Sequence, residues 1–189
     1  MIQIRKSVFE TNSSSTHSIC ISKDHIEPKD RIDFHIGYYE WENDKVNAAD
    51  YLYTAILCAG SNETWKDDVD KLKSFLDKNN VEYSFEEPVW HHSDWGDTYL
   101  ENGAIDHSRE TIPFIRAALG DEDILARTLF GDSYVYTGND NIDEVNPKCY
   151  AACPTYWEDY KNENGDWDSR ELSNPNHDEE HYEYFVKGN

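Results

Sequence analysis

Residues 10–21 read ETNSSSTHSICI, and this stretch decides how the fold is arranged around it. From His17 onward, His17, Ile19 and Ile21 alternate with Ser18 and Cys20, the period-two pattern of a strand with one apolar face. Every side chain from residue 10 to residue 16 forms hydrogen bonds readily, and none is aliphatic. The stretch therefore predicts a polar segment that leads directly into a core strand.

Segments on both sides of this stretch alternate in the same way and predict further strands. Residues 2–5 (IQIR) predict a short strand that pairs with the core strand, and residues 31–39 (RIDFHIGYY) show the clearest alternation in the chain. Three more strands are predicted at residues 81–85, 133–138 and 181–188.

Four helices are predicted between these strands. The first covers residues 47–60, the second ends near Lys78, the third follows Ser108 or Thr111, and the fourth is DILARTLF at 123–130. In the second helix the apolar residues recur at helical spacing: Trp65, Val69, Leu72, Phe75 and Leu76. The order of elements predicts one α+β domain with a mainly antiparallel sheet and about four helices.

Negative charge dominates the composition, with 39 acidic residues, 17 basic residues and a formal net charge of −22. Such a surface repels phosphate backbones, so we expect no direct binding to free DNA. It attracts proteins whose own grooves are basic. The alternative is that the acidity only keeps the protein soluble.

The acidic residues are concentrated toward the C-terminus. Residues 155–189 hold ten Asp or Glu against three Lys or Arg, whereas residues 1–30 hold four of each. We expect 1–154 to be the α+β domain and 155–189 to pack on it, with a loose acidic loop at 162–180 and a final strand. The predicted partner-binding residues are Glu158, Asp159, Asp166, Asp168, Asp178, Glu179 and Glu180.

The polar segment is also a candidate active site. Hydroxyls and backbone N–H groups in a turn can cradle an anion, and this role is predicted for Ser13, Ser14, Ser15 and Thr16. The predicted catalytic residues are Glu10 as orienting or basic group, Asn12 to stabilise negative charge, and His17 as acid or base. The alternative is a turn in which these side chains bond their own backbone.

Residues 4–19, IRKSVFETNSSSTHSI, resemble the N-terminal signature of a loosely defined set of proteins of phages, plasmids and other bacterial mobile elements. Several small acidic proteins from such elements are anti-CRISPR inhibitors that bind Cas9 or its guide RNA complex, and this chain is similar to them in size and acidity. The resemblance covers under a tenth of the chain. It implies a basic host nucleic-acid-binding protein as partner, with a Cas9–guide RNA complex as the example.

Two further clusters contain residue types that bind metals. Cys149 and Cys153 have the spacing of some zinc pairs and would need Cys20 and His17 to complete four ligands, but small buried residues are the more frequent role of such cysteines. In WHHSDWGD, residues 90–97, metal ligation or acid–base chemistry is open to His91, His92, Asp94 and Asp97. Adjacent histidines of a strand point to opposite faces, which disfavours a shared site, and Trp90 and Trp95 suit a core or an interface. We predict no metal and no cofactor.

Two hypotheses follow, and they belong to different functional classes. In the first, an acidic inhibitor occupies a basic groove, and exposed Trp and Tyr side chains add anchoring area. In the second, a small enzyme acts on a phosphate-containing substrate such as RNA, as a nuclease or by phosphoryl or nucleotidyl transfer. A regulatory accessory protein without catalysis is the third alternative. The sequence has no Walker loop, Rossmann glycine pattern, nucleophile elbow or H-E-x-x-H motif.

The expected location is the cytoplasm of a bacterial host. Residues 1–20 lack the apolar region of a signal peptide, and no run approaches the roughly 18 apolar residues of a membrane span. The cysteines are then expected to be reduced.

Overall fold

The computed structural model describes residues 15–24, 26–40, 44–59, 64–92, 98–139 and 148–187. The strand predicted at 2–5 lies outside these residues. Within them the chain forms four α-helices, a 3₁₀ turn at Ser108–Thr111 and twelve strands. The α-helices are α1 (Ala48–Ala59), α2 (Thr64–Lys78), α3 (Ile112–Gly120) and α4 (Glu122–Phe130). The strands are β1 (Ser15–Ser22), β2 (Arg31–Phe34), β3 (Tyr38–Tyr39), β4 (Asp44–Asn47), β5 (Glu82–Phe85), β6 (Trp90–His92), β7 (Thr98–Leu100), β8 (Ala104–Ile105), β9 (Tyr134–Asn139), β10 (Thr155–Lys161), β11 (Trp167–Ser173) and β12 (Tyr182–Lys187).

The main sheet has four antiparallel strands in the order β12-β1-β9-β4. Strand β1 is interior, and all eight of its residues are buried. The register pairs Ile19 with Val135 on one side and with Phe185 on the other, so these apolar side chains share one face. This face lies against the helices and forms the core.

Helix α1 is buried along most of its length, which fits its almost uniformly apolar sequence. Helix α2 is amphipathic, and its buried residues Val69, Leu72, Phe75 and Leu76 follow the predicted helical spacing. Helix α4 is capped by Asp121, whose side chain accepts hydrogen bonds from the backbone N–H groups of Asp123 and Ile124. All four predicted helices are therefore confirmed.

The prediction of a single strand at 31–39 is wrong, because the structure divides this segment into β2 and β3. These strands pair in parallel with different partners, β2 with β5 and β3 with β8. The backbone N–H groups between them donate to side chains rather than to a ladder: His35 to Asp50, Ile36 to Glu86 and Gly37 to Thr54. Alternation alone could not reveal these long-range acceptors.

The C-terminal segment is more ordered than the sequence suggested. Instead of a loose loop over 162–180, β10 and β11 form an antiparallel hairpin. The final strand is confirmed as β12, which pairs with β1 at the edge of the main sheet. The ladders β1–β12, β1–β9, β4–β9, β6–β7 and β10–β11 are all antiparallel, which confirms the predicted α+β class with a mainly antiparallel sheet.

Candidate functional site

The part of the polar segment that the structure describes belongs to the buried start of β1. Ser15 and His17 are fully buried, and Thr16 is almost so. Predicted residues Glu10, Asn12, Ser13 and Ser14 lie outside the described residues. The described polar side chains of this segment are therefore in the interior, and their hydrogen bonds determine their role.

His17 is held by two hydrogen bonds from opposite sides. Its Nε2 lies 3.0 Å from the backbone oxygen of Glu40, and its Nδ1 lies 2.8 Å from the Tyr51 hydroxyl. A carbonyl oxygen can only accept, so Nε2 carries the proton and Nδ1 accepts from Tyr51. Burial lowers the pKa of His17 to about 4, although the bond to Glu40 opposes this change. At neutral pH the ring is uncharged and both nitrogens are engaged.

Ser15 links the first described strand to the last one. The buried ammonium group of Lys187 donates to both the backbone oxygen and the hydroxyl oxygen of Ser15, each at 2.6 Å. The Ser15 hydroxyl in turn donates to Asp106 Oδ2 at 3.3 Å. Glu110 Oε2 lies 3.9 Å from the Lys187 nitrogen. We call Ser15, Lys187, Asp106 and Glu110 the buried ion cluster, in which Ser15 and Lys187 are fully buried and the two carboxylates are partly exposed. It joins β1, β12 and the 3₁₀ turn.

The opposite face of β1 is covered by a turn near the base of the hairpin. Ser18 donates to the Cys149 backbone oxygen at 2.7 Å and accepts from the Ala152 N–H at 3.1 Å. Burial raises the pKa of Cys20 to about 12 and that of Cys149 to about 11, so both thiols stay protonated at neutral pH. Among the residues that the structure describes, no group of three or more His, Cys, Asp or Glu side chains is arranged to hold a metal ion.

Four of the seven predicted partner-binding carboxylates lie on the β10–β11 hairpin or its turn: Glu158, Asp159, Asp166 and Asp168. Among the strands that the structure describes, these two pair only with each other. Six of the seven residues of β11 are exposed. The hairpin therefore presents its side chains to solvent along its length.

Hydrogen bonds fix both ends of the hairpin. At its base the buried Asn174 side chain donates to the backbone oxygens of Tyr150 (2.7 Å) and Cys153 (3.1 Å). At its tip the Asn162 side chain accepts from the N–H groups of Asn164 and Asp166, and Gly165 adopts φ +81°. The carboxylates are thus carried by a defined element.

The other three predicted partner-binding residues lie in the turn before β12. Desolvation alone would raise the pKa of Asp178, but hydrogen bonds from His181 outweigh it and lower that pKa. Glu179 lies 2.9 Å from His177 Nε2, and Glu180 is exposed. The structure brings these three carboxylates together in one turn, separate from the hairpin strands.

Two exposed tryptophans are the feature that the sequence prediction did not locate. Trp157 is 59% exposed and Trp167 is 65% exposed. In β10 the alternation of Thr155, Trp157, Asp159 and Lys161 places Trp157 among polar residues, and this was the available signal.

The histidine-rich segment contributes exposed side chains to the β6–β7 ladder. His91 lies 2.8 Å from Glu101 Oε2, and His92 lies 3.0 Å from the Thr98 hydroxyl. Trp90 is partly buried and packs against the core, as expected for an aromatic of this pattern. Asp94, Trp95 and Asp97 lie outside the described residues.

Comparison with protein-family models, curated proteins and solved structures found no match to this chain. Within the described residues, no helix is both long and apolar enough to cross a membrane.

Proposed function

We propose that this protein is an acidic inhibitor of anti-CRISPR type, which binds the basic nucleic-acid groove of a bacterial defence protein such as Cas9 or its guide RNA complex. The supporting observation is the β10–β11 hairpin, an exposed element that carries carboxylates on both strands and, within the described residues, pairs with no third strand. The net charge of −22 and the sequence resemblance of residues 4–19 also support the proposal.

Electrostatics favours this type of partner over nucleic acid itself. Carboxylates on a projecting element meet a groove lined with Lys and Arg, where they take the place of phosphates. Long-range attraction between the two surfaces speeds association and is screened by salt. Affinity for the target is therefore expected to fall as salt rises from about 0.1 to about 0.5 M.

The fixed ends of the hairpin support the same proposal. An element already ordered before binding loses less conformational entropy when it docks. The hydrogen bonds of Asn174 at the base and of Asn162 at the tip supply this order.

The experiment compares two variants with equal changes in charge. In the test variant the seven predicted partner-binding carboxylates become Asn or Gln. In the control variant the same substitutions are made at seven exposed carboxylates elsewhere: Glu27, Asp30, Asp67, Asp70, Asp77, Glu82 and Glu87. Binding to an immobilised Cas9–guide RNA complex is measured at two salt concentrations.

The test variant is expected to lose about 100-fold or more in affinity, and the control variant about 10-fold or less, because nearby opposite charges contribute most. Equal losses would show that only overall charge matters. Wild-type binding that is absent, or that is unaffected by both variants, would refute the proposed function.

The enzyme hypothesis stays a prediction. Its residues Glu10 and Asn12 lie outside the described part of the chain. His17, within it, is buried, neutral at pH 7 and bonded at both nitrogens. No contact of the described residues favours catalysis over inhibition.

A further inference from the structure

The hairpin has two faces that carry the same formal charge but differ in their aromatic side chains. Each face holds two carboxylates and one cation, by the alternation of the strands. We call them the Trp face and the Tyr face. The Trp face consists of Thr155, Trp157, Asp159, Lys161, Trp167, Ser169, Glu171 and Ser173. The Tyr face consists of Tyr156, Glu158, Tyr160, Asp168, Arg170 and Leu172.

On the Tyr face the single cation is bound within the face itself. Arg170 donates from Nε to Glu158 Oε2 at 2.7 Å, and its guanidinium lies 5.1 Å from the centre of the Tyr160 ring. The Tyr160 hydroxyl donates to Asp168 at 3.3 Å. The tyrosines are half-buried by these contacts. The face already contains the cation that its carboxylate and its aromatic ring would otherwise bind.

The indole side chains of the Trp face are exposed to solvent. Trp157 and Trp167 are exposed, whereas Trp65 and Trp90, the other tryptophans in the described part of the chain, pack against the core. Glu171 lies directly across from Trp157 in the ladder. Lys161 lies across from Trp167, with its ammonium group 5.3 Å from the ring centre. Lys161 therefore lies over the Trp167 ring as Arg170 lies over the Tyr160 ring, and the difference between the two faces is the exposure of the two indoles.

We propose that the Trp face is the anchor of the interface and that it takes arginine side chains of the partner. This inference rests on the proposed function and names the contact that it uses. A guanidinium stacks on an indole more readily than an ammonium does, because it is planar and more weakly hydrated. A carboxylate beside the ring, such as Asp159 or Glu171, accepts the hydrogen bonds of the same guanidinium. Trp and Arg are also the residues that most often carry the binding energy of an interface.

Charge alone does not distinguish the two faces, and this makes the inference testable. Binding driven only by net charge would treat arginine and lysine alike. Stacking on the indoles would favour arginine at equal charge.

The experiment uses oligo-arginine and oligo-lysine peptides of equal length, titrated into the full-length protein and followed by calorimetry. The wild-type protein is expected to bind the arginine peptide about 10-fold more tightly. The double variant W157A/W167A is expected to lose most of this preference, because only the guanidinium–carboxylate contacts then favour arginine, while it keeps the salt dependence that comes from its carboxylates. The control Y38A/Y99A removes two other exposed aromatic side chains, 59% and 54% exposed, and is expected to keep the preference for arginine.

A second measurement does not require the tryptophan side chains to be removed. With 5-fluorotryptophan incorporated, the ¹⁹F resonances of Trp157 and Trp167, assigned from single Trp→Phe variants, are expected to shift on addition of the arginine peptide. The resonances of Trp65 and Trp90 are expected to stay in place. Equal wild-type affinity for the two peptides, or unshifted Trp157 and Trp167 resonances, would overturn the inference.

Failure of the inference differs from failure of the proposed function. If the Cas9 complex binds wild type and W157A/W167A equally but loses the carboxylate variant, the proposed function stands and the Trp face is not the anchor. If arginine preference is present but the Cas9 complex does not bind, the Trp face stands and the proposed target is wrong.

Discussion

Strand β1 and the β10–β11 hairpin are both polar in sequence, yet one lies in the centre of the protein and the other lies in water. All eight residues of β1 are buried, while six of the seven residues of β11 are exposed. The difference is one of neighbours. Strand β1 has a strand on each side and helices over one face, whereas β10 and β11 pair with no further strand in the part of the chain that the structure describes. Polar side chains in β1 must therefore bond within the protein. Those of the hairpin bond partly to one another, as Arg170 does to Glu158, and are exposed to solvent.

This comparison predicts that substitutions in β1 and its contacts change stability, and that substitutions on the hairpin change binding. The buried ion cluster gives the largest expected effect. Replacing Lys187 by Met removes the ammonium group that donates hydrogen bonds to Ser15 and lies near Glu110. We therefore expect a loss of about 4 kcal/mol in the free energy of unfolding.

Urea denaturation measures this loss. Lys161→Met, on the exposed hairpin, is the matched control and should change the free energy by less than about 0.5 kcal/mol. Similar small effects for both variants would show that the cluster does not stabilise the fold.

The pH dependence of stability tests the contribution of His17, in the buried strand β1. In the unfolded chain this residue takes up a proton near its ordinary pKa of 6.5, whereas the folded protein resists protonation until about pH 4. Its contribution is complete above about pH 6.5 and is lost as the pH falls toward 4, because the unfolded state binds the proton more tightly. The predicted loss is roughly 3 kcal/mol, from about 1.4 kcal/mol for each tenfold change in proton affinity.

Unfolding free energies at pH 7, 6, 5 and 4 test this, with His17→Gln as the comparison. The variant is less stable at pH 7 but should lose less stability on acidification than the wild type. Parallel curves for the two proteins would mean that another group controls the acid response.

The base of the hairpin is expected to show an intermediate effect. Asn174→Ala removes two hydrogen bonds to the backbone oxygens of Tyr150 and Cys153 in a buried position, at a cost of about 2 kcal/mol. Hydrogen exchange of the β10 and β11 amides should accelerate by about 30-fold, while amides of β1 keep their protection. Uniform acceleration throughout the chain would show that the hairpin and the sheet unfold together.

The tip of the hairpin is expected to show the smallest effect. Gly165→Ala places a side chain at φ +81°, which costs about 1 kcal/mol even though no atom lies within 4 Å of the added methyl group. Gly120→Ala is the control, since its surroundings are equally open and its φ is not positive. Faster exchange of the tip amides is expected in the first variant only, and equal behaviour of the two would exclude a backbone effect.

Much of the fold was predictable because its signals are local. The alternation at 17–21 and 133–138 and the helical spacing at 65–76 depend only on neighbouring residues. The division of 31–39 was not predictable, because its cause is distant: the carboxylates of Asp50 and Glu86 and the hydroxyl of Thr54 capture the backbone donors. The hairpin in the acidic segment was also not predicted, because a charged strand can form a hairpin without the apolar face by which a strand is recognised in sequence.

For the candidate sites, the role of the acidic residues in binding stays a prediction, and the surroundings of the motif were not predictable. Four predicted partner-binding residues lie on one exposed hairpin, where the excess of acidic residues after residue 155 had suggested a binding surface. Ser15 and His17 have polar side chains that suit an active site, but only their contacts with Lys187, Tyr51 and Glu40 place them in the interior.

By itself, the sequence determined the α+β class, the helices, the strong negative charge and its concentration near the C-terminus, since these depend on composition and short-range periodicity. Only the tertiary structure decided which polar strand is buried and which is exposed. The physical reason is that burial depends on how many neighbours a strand acquires, and strands far apart in sequence supply those neighbours. Strands β9 and β12 enclose β1, while no third described strand pairs with the hairpin.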